Sequence, residues 1–144
     1  MILAHEVAGD SSDQLPGVAL VAHDRRKEEL MGWAATHLEF LLSRPVYATA
    51  TTGTLLRARL GLPIRLLHSG PQGGDQQIGA YIARGAINGL FFFWDPLTTH
   101  AHGDDVRALL RLATLRDIYV ACGPTTATAI ASQLSSRETS PVPA

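Results

Sequence analysis

From residue 18 the chain alternates short apolar, β-branched runs with longer segments in which apolar residues recur every three or four positions. The first run, VALVAHD, precedes RRKEELMGWAATHLEFLLSR, where Leu30, Trp33, His37, Phe40 and Leu41 fall on one helical face, with His37 at its surface. VYATA then leads into TTGTLLRARLG, IRLLHSG into GGDQQIGAYIARGA, INGLFFFWDP into DDVRALLRLATLRD, and IYVAC into PTTATAIASQLSS. Strands that alternate with crossover helices pair in parallel and need cover on both faces. The pattern therefore predicts an α/β protein: a single three-layer α/β/α domain around a mostly parallel five-stranded sheet of the doubly wound type, over 17–136. A leader over 1–16 and a frayed Ser/Thr/Pro-rich tail over 137–144 flank it.

Composition narrows the possible partners. With 144 residues, 46% hydrophobic and 17% charged, the chain has enough apolar surface for a core of its own. A net charge of -1 gives no general attraction for nucleic acid or an anionic membrane, so any anion site has to be local. The lone cysteine, Cys122, excludes an internal disulfide and is expected as a small buried residue. The opening MILAHEVAGDSSDQLPG lacks the basic and then apolar order of an export signal, so cytoplasmic residence is expected.

In a doubly wound sheet, ligands bind beyond the carboxyl ends of the strands, where the strand-to-helix loops converge. TATTG offers the hydroxyls of Thr49, Thr51 and Thr52 at a helix start whose unpaired N–H groups suit an anion; the plainer reading is a threonine N-cap. Ser69 and Gly70 add a hydroxyl and an unhindered N–H in the next loop. Lys27, one turn into the first helix, is either a phosphate counter-charge or a solvated lysine. His23 and Asp24 either end the first strand or enter the site. The fourth loop carries His100, His102, Asp104 and Asp105, a helix cap or a weak metal set, while Asp95 before Pro96 shapes a turn. Trp94 lines core or pocket. The glycine-rich SGPQGGDQQ places Asp75 among residues that a tight turn needs, although the turn itself does not need a carboxylate. Phosphate donors beside carboxylates and histidines suit proton transfer on a small phosphorylated carbonyl compound.

The chain from VALVAHD to VRALLRLAT resembles the methylglyoxal synthase family, carrying VAHD with Lys27, ATATTG, SGPQGGDQQ and FFWDPL followed by His102 and DDV in order. The resemblance implies a Rossmann/flavodoxin-type fold and a lyase of the glycolytic bypass that needs no metal or cofactor and converts dihydroxyacetone phosphate to methylglyoxal and phosphate. By the same resemblance Asp75 is the catalytic base, His102 with His23 handles protons at the carbonyl oxygen, and Asp24 and Asp105 orient them. Lys27, Thr49, Ala50, Thr51, Thr52, Gly53, Ser69 and Gly70 fall at substrate-phosphate positions. A homohexamer and phosphate inhibition are also implied. The chain departs from the family pattern in three places. Ala50 replaces a common glycine, ACGPTTAT replaces an Asn-containing fifth loop, and the chain stops at Ala144, so Arg137 does not inherit the role of an arginine on a longer carboxyl-terminal helix. The rival readings are a non-catalytic effector-binding module of the same fold, as in carbamoyl phosphate synthetase, and a phosphosugar isomerase.

Overall fold

A computed structural model describes residues 15–98 and 103–139 of the chain, without the side chains of 103–105, 138 and 139. The elements run β1 (Gly17–Ala22), a 3-10 turn (Asp24–Arg26), α1 (Lys27–Ala35), α2 (Leu38–Leu42), β2 (Val46–Ala48), α3 (Ala50–Leu60) and β3 (Arg65–Leu66). A second 3-10 turn (Gly70–Gln72) is followed by α4 (Gly74–Ala83), β4 (Ile87–Phe93), α5 (Gly103–Leu115), β5 (Tyr119–Ala121) and α6 (Pro124–Thr139). All the strand pairs are parallel, in the order β3-β2-β1-β4-β5. The order reverses direction between β1 and β4, which makes the crevice at their carboxyl ends the expected ligand site.

Alternation along the strands builds two cores. Phe91 and Phe93 join Leu20 on one face, under Leu30 and Trp33 of α1, Phe40 and Leu41 of α2, Leu56 of α3 and Ile130 of α6. Leu90 and Phe92 face the other way, onto Ile78 and Ile82 of α4 and Leu109 of α5. Phe91, Phe92 and Phe93 are each buried almost completely, and burying a side chain of that size contributes roughly 1.5–3 kcal/mol. An apolar run with no polar alternation is thus a central parallel strand buried on both sides.

Three expectations need correction. The segment read as one long helix after β1 breaks at Thr36–His37 into α1 and α2. There the Thr36 hydroxyl donates to the Trp33 carbonyl at 2.9 Å, and His37 stacks on Trp33 at 4.3 Å while its Nδ1 lies 2.8 Å from the same carbonyl. Local side-chain bonds of this kind compete with helix continuation. The last helix runs to Thr139, past the expected domain end at 136. Cys122 is half-buried, not buried.

Candidate active site

The loop after β1 turns immediately into a 3-10 turn and α1, so His23, Asp24 and Lys27 gather at one strand end. Lys27 Nζ donates to the Ala22 carbonyl at 2.6 Å and to Asp24 Oδ1 at 3.1 Å, leaving one of its three ammonium donors for the cleft it lines. Asp24 is 96% exposed on its side chain and Lys27 only 14%, so the aspartate holds the lysine from the solvent side. His23 is fixed differently. The Asp95 N–H donates to His23 Nδ1 at 2.9 Å, and the ring meets Phe92 edge-on at 5.4 Å. A nitrogen that accepts a hydrogen bond carries no proton, so the neutral imidazole keeps its proton on Nε2.

After β2, α3 begins at Ala50 with Thr49 at its N-cap position. The Thr49 side chain makes no capping bond, so the plain N-cap reading does not hold. The first helical bond is Gly53 N–H to the Thr49 carbonyl at 2.7 Å, which leaves the N–H groups of Ala50, Thr51 and Thr52 ahead of it. Thr49 and Thr51 line the cleft. Thr52 does not: its residue is fully buried and its hydroxyl has no partner among the described residues, so only its N–H belongs to the helix start. Gly53 has no donor to offer either, and its place follows from packing, since a β-carbon there would lie 2.3 Å from Leu66 Cδ2 and 3.2 Å from Ala48 Cβ. Ala50 is helical, and among the described residues only Asp117 is a non-glycine with positive φ. A glycine is therefore not required at position 50.

The loop after β3 explains its own glycines. Gly73 takes φ +107°, a conformation that other residues adopt only with strain, and a β-carbon on Gly74 would lie 2.0 Å from the His68 carbonyl oxygen. Together they turn the chain sharply enough to set Asp75 in the first turn of α4, 6% exposed, at the helix end that favours negative charge. A β-carbon on Gly70 would stand 3.5 Å from Asp75 Oδ1, so its absence keeps the carboxylate approachable. Ser69 heads the 3-10 turn without using its hydroxyl as a cap, and its carbonyl accepts from the N–H groups of Gln72 and Gly74. Gln77 closes the loop from behind, its Oε1 accepting the His68 N–H at 2.8 Å.

His23, Asp24, Lys27, Thr49, Thr51, Ser69, Gly70 and Asp75 all line one cleft of about 390 Å³. Asp95, read from sequence as a turn residue, does shape the turn: it accepts from the Leu97 N–H at 2.9 Å and the Thr98 hydroxyl at 2.7 Å. It is also buried in the cleft wall and orients His23, a role that no sequence spacing signals. Arg25 was missed as well; it lines the mouth with its Nε 3.9 Å from Asp95 Oδ2. Trp94 is half-buried against the α4–α5 core and is not part of the cleft wall. His100 and His102 lie outside the described residues, as do the side chains of Asp104 and Asp105. Among the described residues no three His, Cys, Asp or Glu side chains are grouped to hold a metal ion.

A buried carboxylate, an oriented imidazole, a seated ammonium and a hydroxyl-bearing helix start meet at the switch point of a doubly wound α/β domain, the place where sheets of this class bind ligands. Residues 29–122 match the family model described as the MGS-like domain. The methylglyoxal synthase of Erwinia tasmaniensis is 54% identical over 110 residues, 76% of this chain and 72% of that protein. That of Leptospira interrogans is 50% identical over 110 residues, 76% of this chain and 74% of that protein. The crystal structure of methylglyoxal synthase from Elizabethkingia anophelis superposes with a TM-score of 0.77 at 35% identity, covering 90% of this chain and 95% of that one. The chain belongs to the methylglyoxal synthase family.

Proposed function

We propose that this protein converts dihydroxyacetone phosphate to methylglyoxal and phosphate, with the cleft at the β1–β4 switch point as the active site. The observation that carries the reading is that Asp75 shares one small cleft with two separate phosphate-type loops. The substrate phosphate is taken up by the N–H groups of Ala50, Thr51 and Thr52, the Thr49 and Thr51 hydroxyls, Ser69, the Gly70 backbone and the remaining donor of Lys27. Asp75 then removes a proton from the hydroxyl-bearing carbon, and the C–H electrons pass into an enediolate. His23, with its proton on Nε2, is a donor to the developing oxygen charge; His102 shares that work, and Asp24 and Asp105 hold their neighbours. Collapse of the enediolate breaks the C–O bond to phosphate, giving the enol of methylglyoxal, which takes a proton on carbon to become the product.

Elimination wins over isomerisation when the C–O bond stands out of the enediolate plane. Two loops gripping one phosphate fix that torsion, and positioning of this sort is worth roughly 10² per misplaced ångström. The protein works in the cytoplasm as a homohexamer that phosphate inhibits, as the family resemblance implies. No described helix is long and apolar enough to cross a membrane. Purified protein incubated with dihydroxyacetone phosphate is expected to release methylglyoxal and phosphate one for one. Glyceraldehyde phosphate without free phosphate would make it an isomerase, and tight binding without turnover an effector module.

A further inference from the structure

The sheet has a second charged end. Opposite the active cleft, at the amino ends of β2 and β3, a groove of about 730 Å³ is lined by Arg44, Arg57 and Arg65, and no Asp or Glu is among its described lining residues. Three of the twelve basic side chains in a chain of net charge -1 thus face one space. They come from separate elements: Arg44 follows α2, Arg57 stands on α3 and Arg65 opens β3.

Arg57 and Arg65 have neutral anchors. Arg57 donates to the Ile64 carbonyl at 2.7 Å, and Arg65 donates to the Tyr47 hydroxyl at 3.0 Å with its guanidinium 5.4 Å from the centre of that ring. Neither makes an ion pair among the described residues. A guanidinium has five N–H donors, so a single neutral anchor aims each fork without spending its charge. Arg44 is held by the Phe40 carbonyl at 3.3 Å and lies 4.2 Å from the centre of the Phe40 ring. Apart from Ser43 the rest of the wall is apolar, with Leu15, Leu42 and Pro63 beside the arginines. The volume falls within the range of small-molecule sites and exceeds what bare phosphate fills.

We infer that this groove is a second anion site, which takes the phosphate of a phosphomonoester whose body is larger and more apolar than a triose. Paired guanidinium forks match the oxygens of a phosphate dianion, and the leucine and proline walls take the apolar body. The site lies at the opposite ends of β2 and β3 from Thr49 and Ser69, so its ligand does not compete with one in the active cleft. The groove shares no lining residue with the active cleft.

Phenyl phosphate is a suitable probe, with equivalents bound per chain counted by calorimetry. The double variant Arg57→Gln, Arg65→Gln is expected to bind one equivalent fewer than the unaltered protein, while Lys27→Met, at the active cleft, keeps that equivalent. Inorganic phosphate, lacking the apolar body, is expected to bind the same site more weakly, and binding of either should fall as salt is added. A conservative pair, Arg57→Lys with Arg65→Lys, retains charge without the planar forks and should bind about tenfold more weakly, which reads the site even if the glutamine pair does not fold. An equal number of equivalents in the glutamine variant and the unaltered protein, undiminished affinity in the lysine pair, or loss of the equivalent in Lys27→Met, would overturn the proposal.

Discussion

The loops after β2 and β3 both place glycine next to hydroxyl side chains at the cleft, yet the glycines work on different scales. Gly53 sits inside α3 with its bare face against the tip of Leu66, a side chain that is 38% exposed and able to swing away. Gly74 has its bare face against the backbone carbonyl of His68, which belongs to the turn itself and cannot swing. The first glycine thus meets chiefly a movable side chain, with Ala48 Cβ and Ile64 Cγ2 at 3.2 Å behind it, and its loop offers hydroxyls and helical N–H groups. The other has no slack, and what it holds in place is a carboxylate.

The strongest way to sharpen this contrast is Asp75→Asn, which keeps the shape of the rigid loop and removes the base proposed for it. Turnover is expected to fall by roughly 10² to 10⁴ with the thermal melt unchanged; turnover near normal would remove Asp75 from the mechanism. Gly74→Ala attacks the same loop through its backbone and should cost about 3 kcal/mol, lowering the melting temperature by about 10 °C. A variant melting within a degree or two of the parent would mean that the turn has room to adjust. Lys27→Met belongs to neither loop but should act through the phosphate that both are proposed to hold, raising KM by about 10- to 100-fold with less change in kcat. An unchanged KM would return Lys27 to the status of a helix-surface lysine.

Gly53→Ala is the counterpart of Gly74→Ala and should be mild. Crowding of about 1–2 kcal/mol against Leu66 is partly offset by about 1 kcal/mol of better helix propensity. A melt depressed as far as that of Gly74→Ala would erase the distinction between the loops. The smallest effect is expected at Arg59, which bonds both carboxylate oxygens of Glu28 at 2.7 and 2.8 Å and ties α3 to α1. The side-chain hydrogen bond from Arg59 holds Glu28 below its ordinary value of 4.5. A carboxyl lowered on folding adds stability above its unfolded value and loses it as pH falls through the folded one. The Arg59 value is raised in turn, chiefly by the same bond, and that contribution is lost only in strong alkali. Arg59→Gln should therefore flatten the stability profile slightly on the acid side below about pH 5, an effect that salt abolishes because both groups are exposed. A difference between the two proteins that survives high salt would argue against an exposed pair.

Much of this was readable from sequence, because the information was local. Apolar runs such as GLFFF and helical periods such as VRALLRLAT are one-dimensional signals of a buried parallel strand and a covering helix. The SGPQGGD turn carries its own geometry in Gly73 and Gly74. What was not readable depended on who faces whom across the sheet. Thr52 and Thr51 are adjacent and chemically equal, yet one is buried under the helix and the other lines the cleft. Asp95 looked like a turn former, and it is one, but its N–H also reaches His23 across 72 residues. The break at Thr36–His37 escaped the periodicity because apolar spacing continues through it, while the hydrogen bonds that end α1 come from polar side chains. Ala50 looked like a departure that mattered and is accommodated, since its backbone is ordinary helix.

Arg26, which does not line the cleft, sends one guanidinium nitrogen to the Trp94 carbonyl at 3.0 Å and to the Cys122 carbonyl at 2.6 Å, over the Phe93 ring at 5.0 Å. It rivets the loop after β1 to the ends of β4 and β5, and makes those three one jaw. The threonine and glycine loops of β2 and β3 are the opposite jaw, joined to the first behind the cleft by the Arg59–Glu28 pair. On the proposed reading, a ligand whose phosphate sits in the second jaw and whose carbonyl end faces His23 in the first is a further crosspiece, at the cleft itself. The empty protein should then be two half-sheets sharing the β1–β2 ladder. The loaded one is clamped, and slower hydrogen exchange should appear in the loops after β2 and β3 before anywhere else.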